Sequence, residues 1–362
     1  MNFDLTDEQR MLQETVGQLA EKQCPTTELH KLLEADSEHL PTLWKALSEL
    51  GACGLNIPAA YGGAGLEVLD LAVVAETLGY HATPGPYLGH VLAAYAITRA
   101  GSEEQKQKWL PGLASGERIG TIALAEPGGG WQPEQWTTEA INPLNGSKDF
   151  APAGDIADLI VVGLRGGNLA VVEKGAAGAS HSPVDSADRT RRLHRLDFEA
   201  TPCELLADGV AAAPGVRNVG LALLAADAFG GSLRLLEMCV EYAKTREQFG
   251  TTIGSFQGLK HQLANMAVEV EPSRGLYWFA AYAQDHVPEE ADRIAAIAKA
   301  HITDRFMHIA RNSVEVFGGI GFTWEGDVQI WFKRAMFDRA FLGTPYEHRE
   351  RSMTEAASAY NI

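Results

Sequence analysis

Apolar residues fall on helical spacing over most of the chain and on strand spacing only in its middle. The longest run, Val219 to Tyr242, is rich in leucine and alanine and free of proline. Leu221, Leu224, Ala225 and Ala228 recur three and four residues apart, as on one buried helix face. Gly230 and Gly231 interrupt it, at roughly 1 kcal/mol each relative to alanine, and let a neighbouring backbone come close. Upstream, residues 5 to 118 carry helical patterns. Thr6 and Gln9 form a capping box, followed by the stripe Leu12, Val16 and Leu19. Pro41 to Leu50 predicts a helix closed by Gly51, and Val68 to Leu78 another with Gly79 as its stop signal. Tyr61 to Gly65 is a glycine-rich loop between them. From Ile119 the texture changes. Ile122 to Ala125 is a short apolar run, and two β-rich runs, Asp158–Leu164 and Leu169–Val172, flank Arg165-Gly166-Gly167-Asn168, which predicts a hairpin. Gly175 to Asp188 is small and polar and predicts a loop. Helical patterns return from Ala207, at 215–245, 255–286, 288–317 and 326–342, with a short one near 347–360. Long helices with short joins make an up-and-down bundle. The expected fold is mainly α with a central β domain: an N-terminal α-helical domain (1–118), a middle β domain (119–205) and a C-terminal helical bundle (206–362).

Composition narrows the partners. At 362 residues the chain is long enough for two or three domains with cores of their own. Its 30 basic and 47 acidic residues leave a net charge of −17, which argues against nucleic acid or an anionic membrane surface. Cys24, Cys53, Cys203 and Cys239 lie far apart with no CxxC pair, and read as reduced thiols of a cytoplasmic protein rather than a disulfide frame or metal site. The amino terminus, MNFDLTDEQR, is acidic and amphipathic, unlike a signal peptide. No apolar run is expected to reach membrane-spanning length.

Two stretches carry candidate chemistry. Arg246-Glu247-Gln248-Phe249-Gly250 closes the long helix, where Lys244 and Arg246 suit the helix dipole. An arginine beside an aromatic and a glycine can hold a phosphate bidentately while the ring covers something flat. A capped core helix is the other reading of the same residues. The second stretch, Asn312 to Phe322, reads NSVEVFGGIGF. Its Gly318-Gly319-x-Gly321 turn would let backbone amides approach an anion with no Cβ in the way. Together, RxQFG and VFGGIGF closely resemble the acyl-CoA dehydrogenase family. The resemblance covers nearly the whole chain: Tyr61–Gly65, Gly101 to Leu110 (GSEEQKQKWL) with Ala114-Ser115-Gly116-Glu117, and Glu126-Pro127-Gly128 fall in the family's order.

The resemblance implies oxidation of a saturated acyl-CoA to the trans-2-enoyl-CoA, with a carboxylate removing a Cα proton and hydride leaving Cβ for FAD. It implies an electron-transfer flavoprotein as acceptor. Where the family has its base, in Tyr-Glu-Gly-Thr, this chain has Phe341-Leu342-Gly343-Thr344. The alternative home of the base, on the first bundle helix, aligns at about Gly220, and neighbouring Arg217 and Asn218 are no bases either. The flavin-facing Thr-Glu-Pro-x-Ala-Gly-Ser becomes Ala125-Glu126-Pro127-Gly128-Gly129-Gly130-Trp131, which loses both hydroxyls and puts an indole where a small residue belongs. Trp-x-Thr becomes Phe150-Ala151-Pro152, losing another hydroxyl and a backbone N–H. Thr344 is retained. By contrast, Arg246, Gln248, Phe249, Ile253 and Gln257 match the arm that covers a neighbouring subunit's FAD, and Gly318 and Gly319 match the turn at its diphosphate. Glu315 stands where the family commonly has Gln. A carboxylate there repels a diphosphate unless Arg246 or a water intervenes, and a solvated helix position is the other reading.

An arm that is kept and a home pocket that is eroded point to the small subunit of a heteromeric α2β2 acyl-CoA dehydrogenase. It would have no catalytic residue of its own and would complete the FAD site of a paralogous subunit. Gly321-Phe322-Thr323-Trp324-Glu325 and the segment Gly343 to Glu350 resemble subunits acting on steroid side chains, which implies a bulky steroid or bile-acid CoA thioester. Two alternatives stand beside this: a complete homotetramer with Glu347 as an unusual base, and a scaffold subunit that touches no cofactor. A surface Glu347 paired with Arg349 or Arg351 is the plainer role of that residue. Asp227, a lone carboxylate in the apolar helix, is expected to make an interhelical hydrogen bond. His261, His301, His308 and His348 lack metal-ligand spacing and read as structural. Trp324 and Trp331 read as core or interface aromatics.

Overall fold

A computed structural model describes residues 4–35 and 40–360. Residues 1–3, part of the segment read as unlike a signal peptide, lie outside them. Helix α1 (Asp7–Gln23) opens on the expected box: Gln9 N donates to Thr6 Oγ1 at 3.2 Å, and Thr6 N to Gln9 Oε1 at 3.0 Å. Then come α2 (Thr26–Glu34), α3 (Pro41–Glu49), α4 (Val68–Tyr80), α5 (Tyr87–Ala100) and α6 (Glu103–Ala114). Seven strands follow: β1 (Gly120–Ala123), β2 (Leu144–Pro152), β3 (Leu159–Leu164), β4 (Asn168–Glu173), β5 (Ala179–Val184), β6 (Leu193–Thr201) and β7 (Glu204–Leu205). They make two sheets, β1-β3-β4-β7 with β1 parallel to β3, and an antiparallel β2-β6-β5. Ile160, Val162 and Val172 from the first meet Leu144, Leu196 and Phe198 from the second in a separate apolar core.

The hairpin read from sequence is β3–β4, with Leu159 opposite Glu173 and Leu164 opposite Asn168. The segment expected to be a loop is not one throughout. Its residues Ala179–Val184 form β5, pairing Ala179 with Phe198 through to Val184 with Leu193. The side chains between the strand's ends are exposed, so backbone pairing with the edge of β6, and not an apolar pattern, makes this strand.

The bundle begins with α7 (Gly209–Thr245), which starts earlier than the pattern predicts and carries Pro214 inside it. Two-residue strands β8 (Glu247–Gln248) and β9 (Thr251–Thr252) follow, then α8 (Gln257–His286), α9 (Pro288–Phe317), α10 (Val328–Ala340) and α11 (Pro345–Tyr360). Contrary to the sequence expectation, α7 is long and apolar enough to cross a membrane by length and composition. The apolar stretch that passes this test is 89% buried inside the fold, as befits a core helix. One apolar cluster runs from Val16 in α1 to Leu342 beyond α10, so the N-terminal helices and the bundle share a core.

Glycines set the crossing of α4 and α7. Helix α4 ends at Tyr80, one residue past Gly79, and Gly79 also packs against α7. A Cβ on Gly79 would come 2.2 Å from Asp227 O, and one on Gly230 would come 1.9 Å from Glu76 O. Gly230→Ala is therefore expected to force the two helices apart and to cost about 1–3 kcal/mol, read as a lower urea midpoint at unchanged slope.

Asp227 makes more than one interhelical bond. Arg334 of α10 donates to both its oxygens at 3.2 Å, to Asp188 Oδ2 at 2.9 Å and to Thr83 O at 2.9 Å. Arg191 also pairs with Asp227. This buried cluster ties the N-terminal helices, the β domain and the bundle to one guanidinium.

Candidate functional site

The arm is a hairpin that leaves α7. Arg246 is the C-cap residue, and its carbonyl accepts from Ile253 N at 2.8 Å. Glu247 pairs with Thr252 and Gln248 with Thr251. The two tip residues, Phe249 and Gly250, have φ of 56° and 79°, the left-handed pair that a tight two-residue hairpin requires. Phe249 is consequently 94% exposed, with an edge contact to Phe256 at 6.2 Å. The Arg246 side chain is exposed and has no partner among the described residues. Ile253 is half-buried, and Gln257, the first residue of α8, is exposed.

The glycine turn sits at the same end of the bundle. Tyr242, one turn before Arg246, stacks on Phe317 with ring centroids 4.3 Å apart, and Gly318 follows directly. Gly318 caps α9 with φ 63°, and its N–H is directed to the carbonyls of Glu315 and Val314. That amide closes the helix, so the expectation of an outward-facing Gly318 amide is corrected; the reason is that a helix end must satisfy its own last carbonyls. At both Gly318 and Gly319 the space where a Cβ would stand is open. Glu315 is exposed, with Gln262 Nε2 3.5 Å from its carboxylate.

The residues read from sequence as an eroded home pocket line the cleft between the β domain and α10. Glu126 anchors its loop. The carboxylate accepts from Thr138 N at 2.7 Å, Thr138 Oγ1 at 2.8 Å, Thr137 N at 2.9 Å and Lys148 Nζ at 2.7 Å. Burial opposes its ionisation, but Lys148 and the two threonines override this and bring it down to about 2. Beyond it, Gln132 accepts from Arg217 at 2.9 Å and from Arg351 at 3.0 Å, which pins the adjacent Trp131 in the cleft. A register shift between Lys148 and Ala151 in β2 leaves Phe150 with φ 61°. Trp131 stacks on Phe150 at 5.9 Å and meets Phe341 edge-on at 4.9 Å, while Phe341 stacks on Phe337 at 4.9 Å. An indole wedged between two phenyl rings occupies the space that an isoalloxazine would need and does not fit one.

The two positions expected from the resemblance as homes of a base, Leu342 and Gly220, meet, and both are apolar. Leu342 is 1% exposed, and a Cβ on Gly220 would lie 2.4 Å from its Cδ1. Leu342 carries φ 59°, a strained value for a branched residue, and its turn is pinned from behind. Lys299, fully buried in α9, donates to Asp338 O at 2.5 Å, Arg339 O at 3.3 Å and Gly343 O at 3.1 Å. Burial pushes this amine down to about 7. His348 Nε2 donates to Leu342 O at 2.9 Å, and burial pushes the imidazole down to about 3. Glu347 points elsewhere. Its Oε2 accepts from Thr344 Oγ1 at 2.8 Å and also from Thr344 N, while Glu347 N donates back to Thr344 Oγ1 at 3.4 Å. This is a capping box for α11, not the ion pair with Arg349 or Arg351 expected from sequence; Arg349 pairs with Asp304 instead. Sequence reasoning missed Gln132 and Lys299. The only signal was a lysine inside an alanine- and isoleucine-rich run that must be buried.

Known proteins give the same outline. A family profile described as acyl-CoA dehydrogenase, N-terminal domain, matches residues 6–117, and one described as acyl-CoA dehydrogenase, C-terminal domain, matches 207–354. The chain is 34% identical over 352 residues to the acyl-CoA dehydrogenase IpdE2 of Mycolicibacterium smegmatis, across 97% of this chain and 99% of that one. A variant of the Tcur3481–Tcur3483 steroid ACAD superposes with a TM-score of 0.88 at 28% identity, over 98% of this chain and 99% of that chain. The ChsE4–ChsE5 complex of Mycobacterium tuberculosis does so at 0.88 and 26% identity, over 99% of each chain.

Proposed function

The chain belongs to the acyl-CoA dehydrogenase family, and from that membership we propose that it is the base-lacking subunit of a heteromeric enzyme, completing the FAD site of a paralogous chain. The observation that carries this is the contact of Leu342 with Gly220: neither can accept a proton, and together they fill the place where one would be taken. Family members depend on FAD, which when bound accepts the hydride lost from the acyl Cβ. In this chain the residues offered toward such a group are those of the arm. Arg246 would hold a diphosphate bidentately, and Phe249 would shield a flat ring from water. Gln248, Ile253 and Gln257 would frame the approach, beside the glycine turn at Gly318 and Gly319. Glu315 would stay solvated beside Gln262 rather than face the diphosphate. No step is assigned to the home pocket.

A steroid side-chain thioester as substrate is supported by likeness to the steroid ACAD and by the tail segments. Likeness to the two-component ChsE4–ChsE5 complex supports a paralogous partner. An electron-transfer flavoprotein as acceptor follows from the family. Four buried, unpaired cysteines agree with a cytoplasmic setting.

The test is the flavin content of the chain purified alone and co-expressed with its partner. Alone, it should be colourless; the complex should be yellow and hold about one FAD per pair of unlike chains. A yellow homo-oligomer that bleaches on adding acyl-CoA would sink the proposal, and loss of that bleaching in Glu347→Gln would establish the homotetrameric alternative.

A further inference from the structure

The charged cluster around Arg334 has an arginine that is only half used. Arg191 gives Nη2 to Asp227, while its Nη1 is buried and has no partner among the described residues. The hydroxyls of Thr83 and Tyr87 are buried and unpartnered in the same way. The three residues are 7%, 4% and 6% exposed in that order, and all three line one cavity. It lies between α3, the turn from α4 to α5 and the segment before β6, and the rest of its wall is mostly apolar, with Leu43, Trp44 and Leu78. It shares no lining residue with the cleft at Trp131.

The wall cannot satisfy these groups from its own atoms. Thr83 O already accepts from Arg334 at 2.9 Å, and the Trp44 indole N–H donates to Gly116 O at 2.9 Å. A buried polar atom that has left water and found no partner weakens the fold, and nearly all such atoms in folded proteins have one. The guanidinium has donors only, whereas each hydroxyl can donate or accept. The occupant must therefore accept from Arg191 and can exchange bonds in either sense with the hydroxyls.

Size and charge choose the occupant. About 10 Å³ is open to the centre of a water-sized body, room for one such body and no polyatomic ligand. Arg191 and Arg334 already face Asp188 and Asp227, two cations against two acids, so no surplus positive charge is left to hold a halide. We propose that this cavity binds a single structural water, which accepts from Arg191 Nη1 and bridges it to the hydroxyls of Tyr87 and Thr83. Through it the cluster that joins the three parts of the chain reaches Tyr87, the first residue of α5. The proposal does not depend on the flavin reading above.

The experiment has two arms, both on the full chain. A crystal structure at a resolution that orders buried waters should show one peak within about 2.7–3.2 Å of all three atoms. No peak there overturns the proposal, and so does an anomalous bromide signal at that point after a bromide soak. The second arm reads a sign. If the Tyr87 hydroxyl bonds to a water, Tyr87→Phe loses that bond and should raise the unfolding constant in urea about two- to tenfold. If the hydroxyl has no partner, removing it relieves a buried polar group, and the unfolding constant falls. Thr83→Val is read in the same way and keeps the test open should Tyr87→Phe misfold. An unchanged or lower unfolding constant in either variant overturns the proposal.

Discussion

Arg246→Ala in the co-expressed complex is expected to strip FAD while the complex stays assembled. The side chain is exposed and makes no hydrogen bond or ion pair among the described residues. Its removal should therefore move the stability of the isolated chain by no more than about 0.5 kcal/mol. On the reading proposed above, it acts toward the partner's diphosphate. A hydrogen bond to a charged group contributes about 1.5–3 kcal/mol, and a guanidinium fork can make two to a diphosphate. Loss of the fork should thus weaken FAD retention by roughly a hundredfold to ten-thousandfold. Arg246→Lys keeps the charge without the fork and should fall between. The measurement is flavin absorbance per complex after gel filtration, with the elution volume as the control for assembly. Unchanged flavin content would favour the scaffold reading, in which this subunit touches no cofactor.

Arg334→Met should have the largest effect on folding. Arg334 is fully buried and bonds to groups from all three parts of the chain: Thr83 O, Asp188 with Thr190, and Asp227. Methionine fills a similar volume but leaves Asp188 without its guanidinium partner and Asp227 with Arg191 alone. Breaking such a buried pair from one side costs about 3–5 kcal/mol. Asp338 makes it worse, since burial, and after it the neighbouring Asp227, already push its carboxyl well above the ordinary range; without Arg334 three acids would crowd one dry space. Urea unfolding reads the loss. Adding Asp188→Asn should recover part of it, because the two residues share one network. A midpoint close to that of the parent protein would show that the cluster is relaxed by solvent and does not bind the domains together.

Local features of this protein were legible from its residues. The Thr6–Gln9 box, the turn between β3 and β4 and the long α7 all depend on residues within a few positions of each other. The same holds for the arm: the tip residues Phe249 and Gly250 and the helix before them are neighbours in sequence. From the family resemblance Leu342 and Trp131 are expected to stand where an acid and a small residue would be needed.

What those two residues do instead was decided in three dimensions. Leu342 and Gly220 are far apart along the chain and touch only because α7 passes behind the turn after α10. Trp131 is held by Gln132, whose partners Arg217 and Arg351 come from α7 and α11. Strand β5 exists because β6 had an edge to offer, and Gly318 turned its amide inward to finish α9. Periodicity and capping act through spacing along one element, so a single sequence displays them. The filling of a cleft and the sharing of a buried charge depend on which elements pack together, and packing is settled by the whole core at once.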